Sequence, residues 1–126
     1  MATWDDVRRL ALDLPEVTER AGRTPQWRVR DKMFAWDRPL RGTDLAELGD
    51  RAPDGEILGL RVADLHAKEA LIASDPGVYF TIPHFDGYAS VLVLLDRIDV
   101  QELREALTDA WLVRAPKRLA AEFLAE

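Results

Sequence analysis

Few residues of this chain have the chemistry to act on a ligand. There are two histidines, His66 and His84. His84 stands two residues from Asp86 and four from Tyr88 in Pro83-His84-Phe85-Asp86-Gly87-Tyr88, where proline and glycine mark a loop tip. An imidazole, a carboxylate and a phenol on one tip could orient a small ligand or bridge to a phosphate. The plainer alternative is an exposed turn histidine bonded to local backbone groups. His66, beside Leu65 at a helix start, reads as a surface residue. Acid–base or nucleophilic catalysis needs a titratable cluster held in a pocket, and no such cluster is legible here, so no catalytic residue is expected. Histidines this far apart, without a carboxylate triad, predict no metal site. The glycine-rich phosphate loops and the hydrolase elbow motif do not occur, and no cofactor is expected.

A second group is cationic. Between Arg20 and Arg41 lie seven bases (Arg20, Arg23, Arg28, Arg30, Lys32, Arg38, Arg41) and two acids (Asp31, Asp37), a local balance of +5 in a chain of net charge −6, which leaves −11 for the remainder. Such a run either solvates an exposed face or forms a basic docking surface. Near the end come Arg114, Lys117 and Arg118. Arg114 falls at a helix C-terminus, where positive charge complements the dipole. Lys117 and Arg118 fall at the start of the next helix, where a bound anion or an acidic neighbour would offset the opposing dipole.

Hydrophobic periodicity supplies the elements that must hold these residues. Thr3 and Asp6 make a capping-box start, and Trp4, Val7, Leu10, Ala11 and Leu14 recur at helical spacing, predicting a helix from Trp4 to about Leu14. Gln26–Arg30 and Met33–Asp37 read as a hairpin turning on Asp31-Lys32, with Val29 facing Phe34 and Trp27 facing Trp36. Arg28 and Arg30 then share the other face with Met33 and Ala35. In this register Trp27 and Trp36 are core, as are Trp4 and Trp111 on their helices. The cationic face is therefore aliphatic, which favours phosphate contact over base stacking.

Residues Arg38 to Gly55 read as a loop with a helical turn near Thr43 to Leu48. A strand follows at Glu56 to Val62, with Gly59 marking a close approach or bulge. Asp64 caps a helix through about Ala73. Strands are predicted at Val78 to Ile82 and Tyr88 to Leu95 on either side of the tip. Asp99 and Glu102 open the long helix carrying Val100, Leu103, Leu107, Ala110 and Trp111, and Pro116 starts a short last one. The order is α-β-β-β-α-β-β-α-α. It implies an α+β fold, an antiparallel sheet of about five strands with helices mainly on one face.

The chain has 126 residues, 48% of them hydrophobic, enough for one domain spanning 1–126 that buries roughly two-thirds of its unfolded surface. The absence of cysteine excludes disulfides, thiolate metal sites and a cysteine nucleophile. The acidic N-terminus has no apolar leader-like run, and no apolar run approaches the about 18 residues of a membrane span. These features predict a cytoplasmic protein without membrane contact, a monomer or weak dimer.

Several segments together resemble the MmcQ/YjbR family of small bacterial proteins: Leu14-Pro15-Glu16-Val17-Thr18-Glu19, Lys32-Met33-Phe34-Ala35, Leu71-Ile72-Ala73-Ser74-Asp75, Phe80-Thr81-Ile82-Pro83-His84-Phe85-Asp86-Gly87-Tyr88 and the tail from Asp99 to Leu119. The resemblance covers nearly the whole chain. It implies an α+β domain similar to type III secretion chaperones and to the CyaY-like fold, often described as a double-wing DNA-binding module whose wings would be the hairpins. The chain departs from the pattern in carrying Asp31 where a glycine commonly precedes Lys32, and in its acidic balance. The expected function is a non-enzymatic binding module, for DNA through Arg28, Arg30, Lys32, Arg114, Lys117 and Arg118. The alternatives are a protein- or peptide-binding adaptor and a small-molecule pocket at His84, Asp86 and Tyr88.

Overall fold

The computed structural model describes residues 1–126. Helix α1 (Trp4–Leu12) starts at the expected cap, the Thr3 hydroxyl accepting the Asp6 N–H and the Asp6 carboxylate accepting the Thr3 N–H. Beyond Leu12 the chain turns through Glu16, whose φ of 57° lies in the left-handed region, and enters a strand that the sequence pattern does not announce. This strand, β1 (Val17–Arg20), alternates half-buried and exposed residues and carries one apolar side chain, Val17. An edge position that buries so little needs no hydrophobic run.

The remaining elements follow the expected order: β2 (Gln26–Val29), β3 (Lys32–Asp37), α2 (Gly42–Leu48), β4 (Ile57–Arg61), α3 (Leu65–Ser74), β5 (Tyr79–Phe80), β6 (Ser90–Leu94), α4 (Val100–Arg114) and α5 (Lys117–Ala125). The fold is α+β, with one antiparallel sheet of six strands in the order β1-β2-β3-β4-β6-β5. β5 is shorter than the expected Val78–Ile82, because Ile82 leaves the sheet for a small apolar cluster and Pro83, which has no N–H to give a ladder, opens a 3-10 turn.

The main core lies between one sheet face and α1 and α4. Trp27, Val29, Phe34, Ala35, Leu58, Leu60, Val91 and Val93 meet Val7, Leu10, Leu103, Leu107 and Trp111 there. Trp4 stacks on Trp27 with ring centroids 6.2 Å apart, and Trp111 donates its indole N–H to the Pro15 carbonyl at 3.0 Å. On the opposite face Ile57, Ile82 and Leu92, with Leu40, Leu48, Phe80, Phe85 and Leu94, make a smaller cluster at one end of the sheet.

The hairpin differs from the expected one in two ways. Its turn is Arg30-Asp31, not Asp31-Lys32, with φ of 44° and 69°, the two positive values that a turn matching the strand twist requires. Asp31 therefore occupies a left-handed position that glycine would adopt without strain. The pairing is Val29 with Lys32 and Arg28 with Met33, but Trp27 with Ala35 and Gln26 with Trp36, so Phe34 is an extra residue without a partner. Phe34 and Ala35 consequently both point into the main core, and Trp36 turns to the opposite face. The expected pairing of Trp27 with Trp36 is overturned: Trp27 is core and Trp36 is not. Trp36 lies opposite Gly59 of β4. A Cβ placed on Gly59 would fall 2.6 Å from both Cζ2 and Nε1 of the indole, with Cε2 between them nearer still, so the ring lies face-on against the strand.

Two substitutions test this arrangement. Gly59→Ala drives a methyl into the Trp36 ring, and is expected to cost about 1–3 kcal/mol in urea unfolding and to shift tryptophan emission to the red. Tyr79, 2% exposed, donates its hydroxyl to Glu102 Oε2 at 2.6 Å. Burial, reinforced by the Glu102 carboxylate, pushes the phenol well above its ordinary pKa. The folded value lies above the unfolded one of about 10, so this stabilisation is complete below pH 10 and declines as pH rises beyond it. Tyr79→Phe is expected to cost about 1–2 kcal/mol at pH 7, and the difference between the two proteins to shrink in urea melts above pH 10.

Candidate functional site

On the sheet face away from α1 and α4, the small apolar cluster covers one end and leaves the other open. Gln26, Met33, Trp36, Arg61 and Ser90 occupy that open part, flanked by the chain from Asp37 to Arg41 and by the tip from His84 to Tyr88. Together they enclose a cleft of about 460 Å³. Trp36 presses one face on Gly59 and is half-buried, and its other face turns toward the cleft. Phe85 stands beside it, centroids 6.3 Å apart and tilted by 52°.

Two buried cations hold the walls. Arg38, 4% exposed, donates to Asp44 Oδ2 at 3.0 Å and to the Pro39 carbonyl, and its guanidinium carbon lies 5.3 Å from the centre of the Phe85 ring. Asp44 also accepts the Arg41 N–H at 2.9 Å, which ties the start of α2 to the same wall. Burial alone would raise the Asp44 carboxyl, but that hydrogen bond and the Arg38 guanidinium outweigh it and hold it below the ordinary carboxylate range. Lys68 of α3, 6% exposed, donates to the carbonyls of Phe85 at 2.7 Å and Tyr88 at 3.0 Å. A lysine fixed by two carbonyls of one tip sets the position of the aromatic wall, and burial keeps its ammonium below the usual lysine range. Helical spacing gives no hint of this role, since Lys68 sits among residues that read as a solvated helix face.

Arg41 and Arg61, by contrast, line the cleft with no carboxylate partner. Asp37 is the one acid on the lining besides them, and burial, followed by the nearby charge of Glu56, raises its pKa. The cleft thus offers an indole face, further aromatic edges and free guanidiniums, a set that suits a ligand with a planar ring and negative charge. No three His, Cys, Asp or Glu side chains converge as metal ligands would.

The sequence-derived candidates divide between this site and its surroundings. His84 and Tyr88 line the cleft, whereas Asp86 is exposed outside it, where its charge faces Lys68. Arg30 is spent on Glu16, its Nε and Nη2 donating to the two carboxylate oxygens at 2.6 and 2.9 Å. Arg28 folds along its own hairpin, donating to Gln26 Oε1 at 2.7 Å and to the Asp31 carbonyl at 3.1 Å. Lys32 and Lys117 are exposed without a partner, and Arg118 makes only a loose surface pair with Glu122 at 4.0 Å. Arg114 is half-buried with no hydrogen bond, close enough to Arg61 for the two charges to repel. The expectation that the cationic face is aliphatic is overturned, because the extra residue at Phe34 brings Trp36 onto it. Trp36 is not among the sequence-derived candidates for that reason, and Arg61 is not among them because nothing in the spacing of its strand marks a guanidinium without a partner.

Comparison with known proteins agrees with the architecture. The chain is 53% identical to an uncharacterized protein of Mycobacterium tuberculosis and to one of Mycobacterium bovis, each over 128 aligned residues that cover 99% of this chain and 98% of the relative. The crystal structure of Deinococcus radiodurans protein DR2400, a DUF419 domain, superposes with a TM-score of 0.68 at 23% identity, covering 97% of this chain and 88% of that one. At that identity the likeness speaks for the fold. The YjbR family model matches residues 12–113, a span that runs from the end of α1 through the cleft to the last turn of α4, and the chain belongs to the YjbR family.

Proposed function

We propose that this protein is a non-enzymatic binding module for nucleic acid, and that it takes an unpaired base in the cleft rather than a duplex along the hairpin. The observation that carries this reading is the outward face of Trp36 on a sheet surface flanked by Arg41 and Arg61. Base stacking on such a ring contributes about 1–3 kcal/mol and tolerates any base, because every base has a flat face. Guanidiniums nearby supply the phosphate contacts that draw the strand in despite the net charge of −6. A guanidinium suits holding an anionic ligand and not proton transfer. Less supports the hairpin as the main surface, since Glu16 already neutralises Arg30. Less supports an adaptor as well: the exposed large apolar residues Met1, Leu12, Leu45, Leu65, Tyr88, Val113 and Leu124 come from seven separate segments.

A labelled single strand and a labelled duplex, each titrated at about 50 and 200 mM salt with anisotropy and tryptophan emission followed together, test the reading. The expected result is tighter binding of the single strand, weakening with salt, with emission quenched on binding. Trp36→Leu is expected to abolish the quenching and weaken the single strand about 5- to 150-fold. Duplex binding indifferent to Trp36→Leu would return the hairpin as the surface. No binding of either strand at the lower salt would remove nucleic acid as the ligand.

A further inference from the structure

Four polar or charged residues are buried: Arg38, Asp44, Lys68 and Ser90. Arg38 and Asp44 hold each other, and Lys68 gives its protons to two carbonyls of the tip. Ser90 is the exception. It is 3% exposed, yet its hydroxyl has no hydrogen-bond partner, whereas those of Ser74 and Thr108 are bonded to helix carbonyls. Nor is it sealed inside the protein, as the unpartnered hydroxyl of Thr81 is. What it keeps open faces the cleft, of whose lining Ser90 is part. A hydroxyl set this deep forfeits most of its hydration, and one without a partner calls for a group from outside the protein.

Strand register places this hydroxyl beside the stacking face. Gly59, beneath the indole of Trp36, lies opposite Leu92 of β6. Ser90 lies two residues before Leu92 on the same face, the diagonal neighbour of Gly59 at about 7–8 Å. Directly across the ladder stands Arg61, whose guanidinium donates and cannot accept, so the serine proton finds no acceptor there. We propose that Ser90 reads the 2′-hydroxyl of a ribose whose base stacks on Trp36, so that the ligand is RNA and not DNA. The inference rests on the reading of the cleft given above. The sugar is the part of a nucleotide bonded to the base, and so the part that falls one diagonal step from the stacking face. The phosphates lie farther out, on the side of the exposed Arg41. Pressing their charge onto a neutral hydroxyl at the floor would cost hydration that one hydrogen bond does not return. A 2′-hydroxyl carries no charge, and it both accepts the serine proton and donates to the serine oxygen. Within a strand it is the one sugar hydroxyl left free.

The test uses the full chain with oligouridylate and oligodeoxyuridylate of one length, which differ only at the 2′ position, and with the 2′-O-methyl strand. The parent protein is expected to bind the ribose strand about 3- to 10-fold more tightly than the deoxyribose strand, with tryptophan emission quenched by both. The 2′-O-methyl strand, which has lost the proton and gained bulk, is expected to bind no better than the deoxyribose one. Ser90→Ala is expected to erase the ribose preference while the deoxyribose strand binds and quenches at the parent's level, which also reports a folded cleft. If that variant does not fold, the 2′-O-methyl strand on the parent protein decides: binding as tight as that of the ribose strand overturns the inference. A ribose preference that survives Ser90→Ala overturns it too, since sugar pucker then supplies the preference. So does an equal loss of both strands in that variant, since the hydroxyl then holds a phosphate. Equal binding of the two strands by the parent, with quenching intact, overturns the ribose site and leaves the cleft reading standing. Quenching by neither strand removes both.

Discussion

Between Met33 and Trp36, β3 carries one residue more than the strand beside it, and that excess sets the two faces of the sheet. Regular alternation would send Phe34 and Trp36 to the same side. With Phe34 unpaired, Phe34 and Ala35 both enter the core and Trp36 emerges opposite. The core gains a large ring next to the Trp4–Trp27 stack, and the other face gains the floor of a cleft. Gly59 is the complement of this shift. Leu58 and Leu60 face the helices on either side of it, and only a residue without a side chain lets an indole lie flat on the central strand. A bulge beside a binding surface is a recurring way to re-aim a side chain, and here it re-aims the one tryptophan that the core can spare.

Charge is distributed with the same economy. Glu16 and Arg30 both hold left-handed backbone conformations, with φ of 57° and 44°, and they grip each other through two hydrogen bonds. Each conformation is unfavourable for a residue with a side chain, so the pair ties the entry of β1 to the hairpin turn at the cost of local strain. Glu19 accepts both the Trp27 indole N–H and Arg8, each at 2.9 Å, joining α1 to the edge of the sheet. Arg38 and Asp44 neutralise each other behind the cleft wall. Much of the positive charge that looks continuous along the chain is thus consumed in building the fold. Of the cations left without a partner, Arg41 and Arg61 line the cleft.

The sequence by itself determined most of the architecture. The cap of α1 at Thr3 and the apolar stripe of α4 were legible because helix periodicity is local and caps depend on residues three apart. The unbroken apolar run from Val91 to Leu95 marked a strand buried on both faces or covered by a helix on one, and the resemblance of several ordered segments named the family. β1 stayed hidden, since an edge strand with one apolar residue looks like a polar loop until its partner is known. Only the tertiary structure decided the site. The register of the hairpin depends on whether two successive residues, Phe34 and Ala35, can both be accommodated against the helices, which is a property of the packed core. The partners of Arg30, Arg38 and Lys68 lie 14, 6 and 17 or 20 residues away in the chain, so whether each cation is free or spent could not be read from spacing. The same holds for Trp36, whose assignment to core or cleft rests on a single inserted residue and on the bare backbone of Gly59 one strand away.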